Sequence, residues 1–334
     1  MDRTQSSISG IGMALPALRL PSSDIDKRLE RPNGWLERTC GVRYRHVVQD
    51  ETQEGMAASA ATSALQNAGL HIDDIELLLF GAAVGRQPIP ATAPLIKKRL
   101  GGDGCSFPAY DINATCLSFV AALDQAALYI NNGRANHVLV VSSEIASRAL
   151  PWASAPATAG LFGDGAAAVV VSATNTTTPA WHLGSFHMET YSEGYDDCSL
   201  RAGGTRYDFH QNPQDFADNA FFEMNGRSVY RLSARQMPAF IDSLLEKAQW
   251  THSEVDLIVP HQASPHALAH LSRRCGFTES QVYNIVADMG NQIAASIPIA
   301  LCKAHSEGRL NTGMKVLLLG TSAGISLGGA SLLI

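Results

Sequence analysis

Three polar residues of the 334-residue chain stand where apolar runs give way to small residues, and their types could support covalent chemistry at a carbonyl. Cys116 is the first. It follows Tyr110-Asp111-Ile112-Asn113-Ala114-Thr115 and precedes apolar positions at Leu117, Val120, Leu123, Ala127 and Ile130, the three-and-four spacing of a buried helix. A cysteine at or just before a helix N-terminus meets unpaired backbone N–H groups and the positive end of the helix dipole, which favour a thiolate. On a small-residue turn that sulfur can reach a substrate carbonyl. Taken alone, such a cysteine is more often core than nucleophile, because cysteine is among the most buried residue types. His261, in Val259-Pro260-His261-Gln262-Ala263, leaves a predicted strand directly, and Asn291 lies at a predicted helix start. A lone His or Asn in such a place is commonly a cap or turn residue. Three polar groups at strand ends and helix starts, where α/β proteins place ligands, are harder to explain as caps.

The elements that must position these residues follow from pattern. A first strand is expected over 7–15, then a mixed polar stretch from Asp24 to Gln49. An Ala-rich helix runs from Gln53 to Ala68 and ends at Gly69, which suits a C-cap. Ile75 to Ala83 is a continuous apolar run of buried-strand length, and Ala93 to Leu100 a short helix carrying Lys97, Lys98 and Arg99. The Cys116 helix closes at Gly133, and strands follow at His137–Ser142 and Ala166–Ser172. The second half repeats the plan: strand Asp256–Pro260, helix Ser264–Cys275, strand Val282–Val286, a helix from about Asn291 to His305, strand Lys315–Leu319, and a Gly-rich stretch leading into Ala330–Ile334. Strands alternating with helices in both halves argue for an α/β protein with mostly parallel sheets.

The two halves can be set in register. Gly133-Arg134 ends one helix and Gly308-Arg309 the other, 175 residues later, and the same spacing carries Cys116 onto Asn291. The expectation is a duplicated protein, residues 1–175 holding the cysteine and 176–334 the histidine and asparagine, with the two helix starts facing each other near a pseudo-twofold axis.

Composition bounds the function. The chain is 46% hydrophobic and 17% charged, with a net charge of −6, which gives no reason to expect nucleic acid as a partner. No apolar run approaches the roughly 20 residues of a membrane-spanning helix. The opening Met1-Asp2-Arg3-Thr4-Gln5 lacks the pattern of a secretory leader, and six scattered cysteines read as reduced thiols, so a cytoplasmic protein without metal is expected. His252, His266, His270 and His305 have no metal-ligand spacing, and Glu144 and Asp164 read as structural polar contacts near the core.

Cys116 in its setting, Val-Pro-His-Gln-Ala at 259–263 and Gly-Asn-x-x-Ala-Ala-Ser-x-Pro at 290–298 together resemble the Cys-His-Asn set of β-ketoacyl-ACP synthase III, a condensing enzyme of the thiolase superfamily. The resemblance extends from Gly41-Val42-Arg43 through Gly163-Asp164-Gly165-Ala166 to the C-terminal Gly-rich stretch. It implies a five-layered αβαβα fold, a homodimer, and no cofactor beyond thioester substrates on coenzyme A or acyl carrier protein. It implies that Cys116 takes an acyl group, and that His261 and Asn291 donate hydrogen bonds to a malonyl thioester as it loses carbon dioxide. It also maps an oxyanion hole onto the backbone N–H groups of Cys116 and Ala323, and substrate contacts onto Trp35, Arg43, Ile89 and Thr321. Carrier-protein docking falls on Arg273 and Arg274, a pair that could equally be a solvated face, with Lys97, Lys98 and Arg99 a weaker candidate.

The chain departs from the family pattern in places. Trp35 matches a tryptophan that stacks on adenine, or is a core aromatic, and the arginine expected opposite it has no counterpart in Ser154-Ala155-Pro156-Ala157. Ile89 stands where some members place a phenylalanine that floors the partner's acyl pocket, and Thr321 and Leu327 replace aromatics, so a medium or long acyl primer in fatty-acid-related or specialised metabolism is expected. The alternative on the same scaffold is an acyltransferase passing the Cys116 acyl group to an alcohol or amine. Head-to-head condensation of two acyl chains uses a glutamate base where Ile89 stands here, and a catalytically silent subunit would lack the cysteine or histidine.

Overall fold

The computed structural model describes residues 5–174 and 180–334; the expected boundary between 175 and 176 lies outside them. The strands of the large sheet are β1 (Gln5–Ala14), β2 (Leu77–Gly81), β3 (Ala109–Ile112), β4 (His137–Glu144), β5 (Gly165–Thr174), β6 (Trp181–Thr190), β7 (Leu257–Pro260), β8 (Lys315–Ser322) and β9 (Ser326–Leu333). The helices that cover it are α1 (Gln53–Ala68), α2 (Ala93–Arg99), α3 (Ser118–Asn131), α4 (Gly226–Ala248), α5 (Pro265–Arg274) and α6 (Ser296–Ser306).

The strands lie in the order β7-β8-β9-β6-β1-β5-β4-β2-β3, and the two halves meet where β1 pairs with β6 through Ser7–His182 and Ile8–Trp181. Three pairings are parallel (β2 with β3, β2 with β4, β7 with β8) and the remaining five antiparallel. The expectation of mostly parallel sheets is therefore corrected. β5 and β9 return antiparallel beside the strand before them, a connection that alternation with helices does not reveal.

Side-chain alternation builds the layers. Along β2, Leu77 and Leu79 enter the central core while Leu78 and Phe80 enter an outer core, and β4 and β5 alternate in the same way. In the second half Val316 and Leu318 face the central core, and Leu317 and Leu319 face the opposite outer one. The central core is shared with α3 and α6; α1 and α2 cover one outer face, α4 and α5 the other. The result is the five-layered αβαβα arrangement. Strands buried on both faces must be apolar at every position, which explains runs such as Leu77-Leu78-Leu79-Phe80.

Close packing accounts for the alanines of α1. Ala57, Ala60, Ala61 and Ala64 are fully buried, and a Cβ at Gly10 or Gly12 of β1 would fall 2.2 Å from the Ala64 carbonyl and 2.3 Å from that of Ala60. Thr52 caps α1 by accepting from the Gly55 N–H, and Gly69 ends it in a left-handed conformation.

Elsewhere the structure differs from the sequence expectation. β6 and α4 have no counterpart in it. No strand forms over Val282–Val286: Val282 makes one isolated bridge to Ile258, and Val286–Met289 is a helical turn. The side chain of Gln262 supplies the hydrogen bonds that a ladder would have made, donating to the Tyr283 carbonyl at 3.1 Å and accepting from the Ile285 N–H at 2.9 Å.

Candidate active site

Cys116 sits in a single 3-10 turn, Thr115–Leu117, and α3 begins at Ser118 rather than at the cysteine. The Ser118 hydroxyl accepts from the Ala114 N–H at 2.9 Å and donates to the Thr115 carbonyl at 2.6 Å, closing the turn. Thr115 is held in the left-handed region at φ 52. The second half builds the same turn at Ile293–Ala295 before α6: Ile293 has φ 51, and Ser296 accepts from the Gln292 N–H at 3.0 Å.

This corrects the internal register. The turns and helix starts are related by 178 residues, which places Ala294 opposite Cys116 and Asn113 opposite Asn291. The helix ends are related by 175 because α6, at 11 residues, is three shorter than the 14-residue α3. The glycines that follow the helix ends, Gly133 and Gly308, carry the 175-residue spacing and not that of the turns.

Asn291 is buried, and both faces of its amide are placed. Its side-chain oxygen accepts from the Ile293 N–H at 2.8 Å and from the Ser296 hydroxyl at 3.3 Å, so the NH2 group points the other way, one hydrogen reaching the Ala263 carbonyl at 3.4 Å. The strained residue before it is Gly290, at φ 69 and ψ −166. His261 leaves β7 with its backbone N–H bonded to the Leu319 carbonyl at 2.7 Å. Its ring is buried, and Nδ1 has no partner among the described residues, which leaves Nε2 as the ring nitrogen able to meet a ligand. Burial lowers the His261 pKa to about 4, so the imidazole is neutral at physiological pH.

The late loop closes on both. A Cβ at Gly320 would lie 3.0 Å from Leu117 and 3.1 Å from His261, so the bare backbone lets β8 pass between the cysteine turn and the histidine. The Ser322 hydroxyl donates to the Ala114 carbonyl at 2.9 Å. Cys116 is half-buried, and desolvation of its sulfur raises the thiol above its ordinary value, against the lowering effect of the Ala323 and Cys116 backbone amides. The helix-start amides expected to favour a thiolate are opposed by desolvation of the sulfur, which raises the thiol.

A cavity of about 940 Å³ opens between α4 and α5 and is lined by Cys40, Met224, Tyr230, His261, Ala263 and Thr321. Cys116 and Asn291 are not among its lining residues; Asn291 meets the lining at Ala263, and the cysteine turn meets it where Leu117 packs at Gly320. The exposed Arg273 and Arg274, in the last turn of α5, also line it and make no ion pair among the described residues.

The remaining sequence candidates fall elsewhere. Trp35 is partly buried against the outer core, and the Arg31 guanidinium lies 5.1 Å above its ring, a cation from a position the sequence reading did not consider. Arg43 is held by Asp288 at 2.9 Å and does not line the cavity. Ile89 projects from the loop before α2 with 87% of its surface exposed. Lys97 donates to the Cys105 and Phe107 carbonyls and Arg99 pairs with buried Glu54 at 3.5 Å, while Lys98 is exposed and makes no ion pair among the described residues. Asp164 is structural as read, accepting from the Val48 and Ser147 N–H groups and the Ser147 hydroxyl. All six cysteines are free. Among the described residues no helix is long and apolar enough to cross a membrane.

Comparison with known proteins gives a consistent picture. Two family models match: 3-oxoacyl-[acyl-carrier-protein] synthase III over residues 110–192, and its C-terminal domain over 245–334. The chain is 32% identical to the β-ketoacyl-[acyl-carrier-protein] synthase III of Neisseria gonorrhoeae over 98% of both chains, and 33% identical to a synthase III of Streptomyces coelicolor over 98% of this chain and 96% of that one. Among solved structures it superposes on the synthase III of Aquifex aeolicus with a TM-score of 0.87 and 29% identity, over 98% of this chain and all of that one. OleA of Xanthomonas campestris superposes with a TM-score of 0.87 at 24% identity, a likeness of fold alone.

Proposed function

Because the chain belongs to the 3-oxoacyl-[acyl-carrier-protein] synthase III family, we propose that it joins an acyl group to a malonyl-derived unit through a Cys116 thioester. The observation that carries this reading is the convergence of the late loop, His261 and Asn291 around the cysteine turn.

Cys116 attacks the acyl thioester and expels the carrier thiol. Its proton ends on the departing carrier sulfur, so the exchange balances without a strong base, and His261 keeps its Nε2 hydrogen for the second half-reaction. The Cys116 and Ala323 amides stabilise the oxyanion of that step. A thiol suits the exchange because sulfur attacks and leaves with similar ease. In the second half-reaction, decarboxylation of the malonyl thioester needs only stabilisation of the enolate. Neutral His261 and the free N–H of Asn291 donate to its oxygen without titrating near pH 7. The C–C bond then forms at the acyl carbon, and the β-ketoacyl product leaves as Cys116 is released. This pair of donors favours condensation over transfer to an alcohol or amine, which would need no enolate.

The donor arm occupies the cavity between α4 and α5, and the acyl carrier protein docks on Arg273 and Arg274. The protein works as a homodimer in the cytoplasm without a cofactor, and the exposed Ile89 reaches across to the partner's acyl pocket. The smaller side chain there leaves room for a medium or long primer. Relative acylation rates with acetyl and octanoyl donors test this, and a strong acetyl preference would sink it.

A further inference from the structure

The late loop turns from β8 to β9 through Ala323, Gly324 and Ile325, and the last two stand in the left-handed region at φ 76 and φ 48. Glycine adopts that region at little cost, whereas a β-branched residue stays there only where its surroundings leave no alternative. Those surroundings are specific. Ile325 is fully buried, and its carbonyl accepts from the Tyr191 N–H at 2.8 Å. The next residue, Ser326, pairs with Thr190 of β6, and their hydroxyls share a hydrogen bond of 2.8 Å. Gly194, in the turn Ser192–Asp197 that follows β6, faces the isoleucine. A Cβ there would lie 2.2 Å from Ile325 Cγ1 and 2.9 Å from Leu232 Cδ2 of α4. Gly194 has φ −99, on the side open to other residues, so the glycine serves space and not backbone freedom.

The strands leading to this turn are seated on the cysteine turn. Gly320 and Gly328 pair across β8 and β9, and a Cβ on them would lie 3.0 and 2.9 Å from Leu117. Ser322 donates to the Ala114 carbonyl. Ala323 lies between that anchor and Ile325. A peptide plane in a three-residue turn can rotate without disturbing the strands on either side, and a side chain locked two residues on removes that freedom. We propose that Ile325 and Gly194 are positioning residues for the acylation of Cys116: the isoleucine, wedged against the bare glycine, fixes the direction of the Ala323 amide that receives the oxyanion. Their part in acylation rests on the condensing-enzyme reading; the wedge itself does not.

The test is the single-turnover rate of Cys116 acylation in the wild type, Gly194→Ala, Ile325→Ala and the double variant. The methyl added at 194 displaces Ile325, and acylation is expected to fall about a hundredfold, the cost of moving a positioned group by about 1 Å. Shortening Ile325 in the same chain makes room for that methyl, and the double variant is expected to recover most of the rate. Release of carbon dioxide from a malonyl thioester, the step assigned to His261 and Asn291, is expected to stay unchanged throughout. Equal loss in the two steps, or a double variant no faster than Gly194→Ala, overturns the proposal. If Gly194→Ala does not fold, Ile325→Ala alone decides: it empties the contact without adding bulk, and acylation must fall while carbon dioxide release persists. If the wild type loads no acyl donor, the proposed function fails. Urea unfolding of the same four chains still decides the wedge, which requires Ile325→Ala to cost less stability beside Gly194→Ala than alone.

Discussion

Asn113 and Asn291 occupy equivalent positions, and only one of them faces the candidate site. Each accepts the N–H two residues on, Thr115 at 2.9 Å and Ile293 at 2.8 Å, and each donates its amide to a carbonyl of a strand-end loop, Ala83 or Ala263. The duplication made two identical brackets. In one half the bracket holds the turn that carries the cysteine; in the other one amide N–H of Asn291 is left for the donor role proposed for it.

Asn291→Asp separates those two duties. The carboxylate still accepts from Ile293, but the donor is gone and a negative charge faces the enolate. Acylation of Cys116 should persist, while decarboxylation of a malonyl thioester falls by about 10²–10³, the usual cost of losing one oxyanion donor. Rapid-quench measurement of the two half-reactions checks it; equal loss in both would assign Asn291 to the fold alone.

His261 makes stability depend on pH. Its folded pKa is depressed to about 4 against 6.5 for the free side chain, so between these values the unfolded chain binds the extra proton. Stability therefore rises with pH through that window and is lost as pH falls, by up to about 3 kcal/mol from this residue. Urea unfolding of the wild type and His261→Asn at pH 4.5 and 7 should show the slope reduced in the variant.

Gly290 holds the approach to Asn291. A Cβ there would lie 2.9 Å from the Leu161 carbonyl, and φ 69 with ψ −166 is a region that only glycine occupies readily. Gly290→Ala should cost about 1–3 kcal/mol and lower kcat by displacing the asparagine. Unchanged melting temperature and rate would contradict this.

Reversing Arg273 and Arg274 to Glu should raise KM for a carrier-protein donor by about tenfold, more at low salt, and leave a coenzyme A donor unaffected. Equal effects on both donors would show that the pair, which lines the cavity, acts on the donor arm and not on the carrier protein.

The buried strands and the duplicated α/β plan were legible in the sequence, because double-sided burial writes itself as unbroken apolar runs and a duplicated plan appears twice; the five layers and the joint role of the three residues came from the family resemblance. The register between the halves was not. Helix ends carry glycines that can be matched by eye, whereas the helix starts are set by hydrogen bonds of Ser118 and Ser296 that a sequence does not display. The strand expected at 282–286 failed for a similar reason, since the side chain of Gln262 took the place of a ladder. The state of the Cys116 thiol was read from its nearest helix alone. The late loop that closes on that turn, with Ser322 bonded to the Ala114 carbonyl 208 residues earlier, is not visible from the local sequence.

The measurement that bears most directly on the account is the intact mass of the protein after exposure to acyl thioester donors and then to malonyl carrier protein. An acyl adduct on the wild type, absent from Cys116→Ala and discharged by the malonyl donor as a β-ketoacyl product, is the predicted result. An adduct that the malonyl donor leaves in place while an alcohol or amine removes it, or no adduct from any donor, would contradict it.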